Sequence, residues 1–289
     1  MNIDLLIGII NIVLIATTPL VFAGIGELVT EKTGVLNLGV EGMMLVGAVT
    51  AFVTLVITGS YLLAFLFSII SGLLMSGLFA FLVLNLMSNQ VATGLALTIF
   101  GIGLSSMIGK EYIGTPIKGL NPYFFIILSF VIVFATSYFF YKTKIGLIFR
   151  AVGESHSSAH ALGYSVIKIR LLAILFGGAM CALAGSYMSI CYAPMWQENM
   201  TAGRGWIALA LVVFATWKPN RILIGAYIFG GVSIMQMNLQ AFGLSIPGQF
   251  FNMAPYLATM IVLVVISSNK LRIKLSSPAS LTKPFYKGR

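Results

Sequence analysis

The sequence predicts an all-α, polytopic transmembrane bundle of about 8–10 membrane spans, with one short helix in a cytoplasmic connection. Three observations carry this. The 289 residues are 59% hydrophobic and only 8% charged, against about 25% charged in an average soluble domain. Apolar runs close to the length needed to cross a bilayer recur along the whole chain. The net charge of +10 is gathered beside those runs instead of being spread over a face. Lys142, Lys144, Arg150, Lys168 and Arg170 stand against Glu154 alone, and Lys270, Arg272, Lys274, Lys283, Lys287 and Arg289 fill the tail. Such clustering is the positive-inside pattern of membrane proteins, and no soluble stretch exists to carry a nucleic-acid face.

In chain order the candidate spans are 5–23, 36–57, 61–84, 90–108, 123–141, 171–192, 205–217, 222–242 and 255–268. Two are short, 205–217 and 255–268, as half-helices and tilted ends are. Placing 142–170 and the tail 270–289 in the cytoplasm makes all nine cross and puts the N-terminus outside. Only Lys110, Lys118 and Arg204 of the 17 basic residues then lie outside, which supports that orientation. Residues 1–289 read as one transmembrane domain, with 24–35 as an inner connection. The start MNID lacks the basic residues of a cleavable leader, so the first run is expected to remain as a helix. Cys181 and Cys191 are too few for a metal framework and read as small packing residues.

Polar residues in apolar surroundings are the candidates for function. Gly24–Gly47 crowds Glu27, Glu31, Asn37 and Glu41 among glycines at membrane boundaries. Unwound backbone at membrane depth is tolerated only beside protein or a water-filled cavity. The stretch is therefore a broken helix along a solute path, or a connection followed by a glycine-rich packing helix. Glu41 must be interfacial, paired or functional, because an ionised carboxylate in lipid is costly. Asn85, Asn89, Gln90, Thr93, Thr98, Gln236, Asn238 and Gln240 lie inside or beside spans. Singly, interhelical hydrogen bonding explains each; together they favour an uncharged, hydrogen-bonding cargo. Few acids are expected within spans, which argues against a carboxylate proton relay. Glu41–Gly47 and Arg204–Leu209 echo each other, a charged residue and a glycine entering an apolar run, but the echo is too short to establish a repeat.

The longest polar interruption is Gly146–Arg170. Ser155 can cap a helix and Gly163 can end one, so 156–162 is expected to form about two turns. Ala159 and Leu162 would share a face that fits a groove on a partner; the plainer alternative is a solvated connector. His156 and His160 have metal-pair spacing, but only Glu154 could join them, so they read as polar surface contacts. The chain contains no phosphate-cradling G-x-x-x-x-G-K-[ST] loop and no nucleophile–base–acid set. No cofactor is expected, an enzyme is unexpected, and any nucleotide-driven step belongs to another chain.

Four stretches, GELVTEKTGVLNLGVEGMMLVGA (Gly26–Ala48), NQVATGLALTIFGIGLS (Asn89–Ser105), Gly146–Arg170 and MTAGRGWIALALVVFATWKP (Met200–Pro219), closely resemble the permease subunits of bacterial ABC importers of the branched-chain amino acid and simple-sugar group, most of all the nucleoside type. The resemblance implies a multi-pass permease of the bacterial cell membrane with a cytoplasmic C-terminus. It would form a solute pathway with a second, different permease, driven by two cytoplasmic ATP-binding subunits. An extracytoplasmic solute-binding protein would deliver a nucleoside, or alternatively a simple sugar. The residues that match the ATPase-docking segment are Arg150, Ala151, Gly153, Glu154, Ala159 and Gly163. Asn37, Glu41, Asn89, Gln90, Thr93, Gln236 and Asn238 are the candidates for the solute pathway. A stand-alone ion-coupled transporter and a membrane scaffold are the competing classes.

Overall fold

The computed structural model describes residues 3–241 and 277–286, with Met253, Leu257, Met260 and Val264 between them; side chains are not described before Ile7 or at 233 and 235–241. The regular secondary structure of the described residues is helical, and the connections between helices hold two isolated bridges, Ile113 with Trp196 and Pro116 with Met195. The helices are α1 (Ile3–Lys32), α2 (Val40–Thr58), α3 (Tyr61–Ala80, extended by a π-turn Phe81–Asn85), α4 (Gln90–Gly109), α5 (Tyr123–Lys142), α6 (Lys144–Glu154), α7 (His156–Ala161), α8 (Val166–Tyr187, extended by a π-turn Met188–Tyr192), α9 (Arg204–Phe214) and α10 (Pro219–Ala241). Six of them, α1 to α5 and α8, are long and apolar enough to cross a membrane.

Two expectations need correction. Residues 24–35 are not a connection, since α1 runs unbroken to Lys32. Nor can 205–217 cross, because α9 has 11 residues and reaches only about 16 Å. The expected span 255–268 lies outside the described residues except for Leu257, Met260 and Val264.

α8 is the axis. Its buried small residues let three helices approach closely, as packing in lipid favours. The Thr30 hydroxyl donates to the Ala173 carbonyl at 3.2 Å and the Tyr187 hydroxyl to Ile15 at 3.0 Å, so α1 runs antiparallel to α8. On α3, Ser68 donates to the Gly47 and Ala182 carbonyls at 2.9 and 3.0 Å, tying α2, α3 and α8 at one point. Gly185 packs on the Met44 backbone, and the Ser189 hydroxyl donates to Ala48 at 2.9 Å, so α2 runs parallel to α8. Cys181 is buried in this core and Cys191 half-buried, both as free thiols.

These registers place α2. It does not start level with the first turn of α8 but beside Met180 and Cys181, about 20 Å further along. Thr33–Gly39 climbs that distance in non-helical backbone, doubling back along α1. The Arg170 Nε donates to the Thr33 carbonyl at 3.1 Å at the bottom, and the Asn37 N–H donates to Glu27 at 2.9 Å two turns higher. The chain beyond α8 does the reverse: residues 193–203 return from the far end, and α9 starts at the level of Glu41. From this shared mid-depth point α2 runs away from the end that carries Lys32, Lys142 and Lys144, and α9 runs toward it. The echo between Glu41–Gly47 and Arg204–Leu209 thus marks a full-length helix, α2, and a short one, α9, that start together and point in opposite directions.

Candidate functional site

The junction between the starts of α2 and α9 is built on Glu41, which is 3% exposed. Its Oε1 accepts the Thr201 hydroxyl at 2.5 Å and the Gly203 N–H at 2.8 Å, and its Oε2 accepts the Gly205 N–H at 2.5 Å. A carboxylate there satisfies orphan amide donors of α9 and faces the positive end of its dipole. Gly205 is required by proximity, since a Cβ would lie 2.6 Å from the Glu41 Cα. Arg204 turns aside, its guanidinium 4.5 Å from the Tyr192 ring centroid and 3.6 Å from the Met188 sulfur. The lead-in holds Asn199, Ala202 and Gly203 at positive φ, a conformation that the bonds to Glu41 fix.

The climbing segment is held just as closely. Asn37 accepts the Gly39 N–H at 2.9 Å, and its amide nitrogen lies 3.7 Å from the Met43 sulfur. Gln90 accepts the Leu36 N–H at 2.9 Å, and the Thr98 hydroxyl donates to the Leu38 carbonyl at 2.8 Å. Asn89 caps α4 by accepting from Val91 and Ala92, while Thr93 bonds the Ser88 hydroxyl at 2.8 Å. Gln236 and Asn238 lie on α10, with side chains outside those described. Asn37, Glu41 and Gln90 therefore meet around one break, whereas Asn89 and Thr93 stand at the start of α4, nearer solvent.

Glu27 and Glu31 were not read from sequence as membrane-embedded. Both are buried on the last turns of α1, and Glu31 accepts the Trp217 indole N–H at 2.5 Å. With Glu41 they make three buried acids, so the expected scarcity of acids in the spans fails, and with it that argument against ion coupling. Each carboxylate instead takes a fixed internal donor: two backbone sites and an indole.

The second part of the site lies at the basic end. Thr143 caps α6 by accepting the Gly146 N–H at 3.0 Å, and Ser155 caps α7 by accepting the Ser158 N–H at 3.3 Å. Gly163, at φ +88°, closes α7 as the left-handed residue of a Schellman turn, with Gly163 N–H to His160 and Tyr164 N–H to Ala159. The short helix is where the sequence predicts it; α6, the longer helix before it, was not anticipated. Gly153 lies directly on the Lys32 carbonyl that ends α1. Arg150 stacks over Tyr141 at 5.2 Å and, with Ala151 and Glu154, lines a cavity of about 350 Å³ shared with Lys32, Thr216 and Lys218. Ala159 differs from expectation. It turns inward against Val152 and Val166, leaving Leu162, 75% exposed, as the outward apolar residue. His156 and His160 both face the Phe285 ring, at 5.5 and 5.2 Å.

Discontinuous helices that meet at mid-depth, joined to an amphipathic helical elbow at the basic end, define an integral-membrane permease. The chain matches the family described as branched-chain amino acid transport system / permease component over residues 9–267 and belongs to it, as an ABC transporter permease subunit. It is 36% identical to TsgC13 of Haloferax volcanii, whose glucose ABC permease name is provisional, over 96% of this chain and 97% of that one. It is 29% identical to the nucleoside ABC permease NupC of Lactococcus lactis, over 87% and 90% of the two chains. To the guanosine ABC permease NupQ of Bacillus subtilis it is 27% identical, over 97% of each. No solved structure matches the chain. The family implies association with ATP-binding subunits and a solute-binding protein, and the six apolar helices make this a multi-pass membrane protein.

Proposed function

We propose that the chain is the non-catalytic permease subunit of an ATP-driven nucleoside importer, paired with a second, different permease. Its basic end faces the cytoplasm, as the positive-inside rule requires. Two ATP-binding subunits drive the pair, one of them gripping this chain's α6 and α7. There Arg150, Ala151, Glu154 and Gly163 are reachable, and the buried Gly153 and Ala159 hold the shape of the elbow. An extracytoplasmic binding protein supplies the solute. The observation that carries this reading is the seating of the elbow. Gly153 bears on the end of α1, and Arg150, Ala151 and Glu154 face the α9–α10 turn. A push there reaches the two helices that lead into and out of the mid-depth junction. Asn37, Glu41 and Gln90 fix the wall of the pathway at that junction. Asn89, Thr93, Gln236 and Asn238 are the proposed solute contacts.

The likeness to NupC and NupQ supports a nucleoside cargo. The higher identity to TsgC13 favours a second reading, the same machine carrying a sugar; both cargoes are neutral and hydrogen-bonding. The test is recovery of the tagged chain from solubilised membranes, followed by uptake of radiolabelled guanosine with unlabelled nucleosides or glucose as competitors. An ATPase partner and nucleoside competition are expected. Recovery without any ATPase would sink the importer reading, and competition by glucose alone would install the sugar. Glu154→Lys, at an exposed position, should abolish uptake with insertion intact. Gly153→Arg is a poorer probe, because any side chain at 153 meets the Lys32 carbonyl.

A further inference from the structure

The segment 277–286, beyond the last helices, lies across the basic end and touches both sides of the elbow. Ser280 is 3% exposed. Its N–H and hydroxyl donate to the Gly153 carbonyl at 2.9 and 2.5 Å, and the hydroxyl also lies 3.0 Å from the Val152 carbonyl. It thereby satisfies carbonyls that the end of α6 would leave orphaned. Phe285 packs on Val152, Ala159 and Val166 between the two histidines of α7. Arg170, 1% exposed at the start of α8, donates from Nε to the Thr33 carbonyl and from Nη1 to the Lys283 carbonyl, both at 3.1 Å. Thr282 and Pro284 wall a cavity of about 390 Å³ against Ser88–Gln90 at the α3–α4 turn.

We infer that 277–286 is a strap that fixes the elbow to the break at 33–39, with Ser280 and Phe285 as positioning residues for energy coupling. One end of the strap holds α6 and α7. The other, through the doubly bonded Arg170, holds the residue at which α1 breaks. Movement of the elbow is thus passed to the start of the climbing segment as well as to the body of α1. This inference rests on the reading of α6 and α7 as the ATPase grip.

The test uses the complete transporter in proteoliposomes, measuring solute uptake and ATP hydrolysis in one preparation. Ser280→Ala/Phe285→Ala should assemble and hydrolyse ATP, with uptake per ATP lowered about fivefold or more. Restoring the ring alone with Ser280→Ala/Phe285→Tyr should recover part of the loss, the remainder belonging to the Ser280 hydroxyl. An unchanged ratio overturns the strap, and so does a parallel loss of uptake and hydrolysis, which would make it a fold-holding contact only. If the unaltered chain recovers no ATPase, the importer reading itself fails and the strap fails with it.

Discussion

The carboxylate of Glu41, the second residue of α2, accepts the N–H of Gly205, the second residue of α9, at 2.5 Å. The two helices are therefore locked start to start by one side chain, which also holds Thr201 and Gly203. Glu41→Ala strands three donors at once, two of them on buried residues, and each buried unpaired donor costs about 1–3 kcal/mol. A loss of about 2–6 kcal/mol is expected, read as a large fall in the melting temperature of the detergent-solubilised protein. Glu41→Gln keeps one acceptor oxygen but opposes an amide N–H to another donor, so it should fall between. An unaltered melting temperature for Glu41→Ala would refute the lock.

That lock also shows where sequence reading reaches its limit. α3, α4, α5 and α8 follow from apolar runs of near-span length, and α7 follows from Ser155 and Gly163, because those signals are local. The break was legible only as a glycine-rich stretch. Its position was misjudged because Glu27 and Glu31 read as residues of a polar connection, whereas Glu31 is buried with a donor 186 residues away. α6 hid among its basic neighbours. Nothing local marks Ser280 or Phe285, whose partners lie more than a hundred residues upstream. The mid-depth junction left one trace, a charged residue and a glycine at the head of two apolar runs.

Close approach of α2 and α4 depends on a glycine pair. A Cβ at Gly101 would stand 2.5 Å from the Gly42 Cα, while one at Gly103 would meet nothing within 4 Å among the described residues. Gly101→Ala should therefore destabilise by about 1–3 kcal/mol through overpacking. Gly103→Ala, on the same helix, should be neutral or stabilise by up to about 1 kcal/mol, since alanine is the better helix former. Paired thermal unfolding of the two variants checks the contrast, and equal effects would contradict the glycine contact.

Glu31 and Trp217 form a second long-range tie, between the end of α1 and the α9–α10 turn. Trp217→Phe removes the N–H and leaves a buried carboxyl oxygen of Glu31 without that donor, at about 1–3 kcal/mol for an unsatisfied buried acceptor. Glu31→Gln keeps an acceptor and should cost less. Because both variants act on the same hydrogen bond, the double variant should cost less than their sum. A double-mutant cycle by thermal unfolding measures the coupling, and strict additivity would argue that the bond contributes nothing.

His156 makes the elbow sensitive to pH. Partial burial lowers its pKa below the ordinary imidazole value, and the positive charges of Arg170 on α8 and Lys283 on the strap lower it further. Among the described residues its Nδ1 has no hydrogen-bond partner, and the Phe285 ring, which it shares with His160, offers none. The folded elbow thus prefers the neutral ring. The contribution is fully present above the unfolded imidazole value of about 6.5 and is lost as pH falls below it, because the released imidazole binds the proton more readily. Hydrogen-exchange protection of 155–164 and 277–286, corrected for the intrinsic pH dependence of exchange, should therefore hold above about pH 6.5 and drop as the pH falls below it. His156→Gln should flatten that drop. If the drop persists undiminished in His156→Gln, the sensitivity belongs to another group and His156 is only a packing residue.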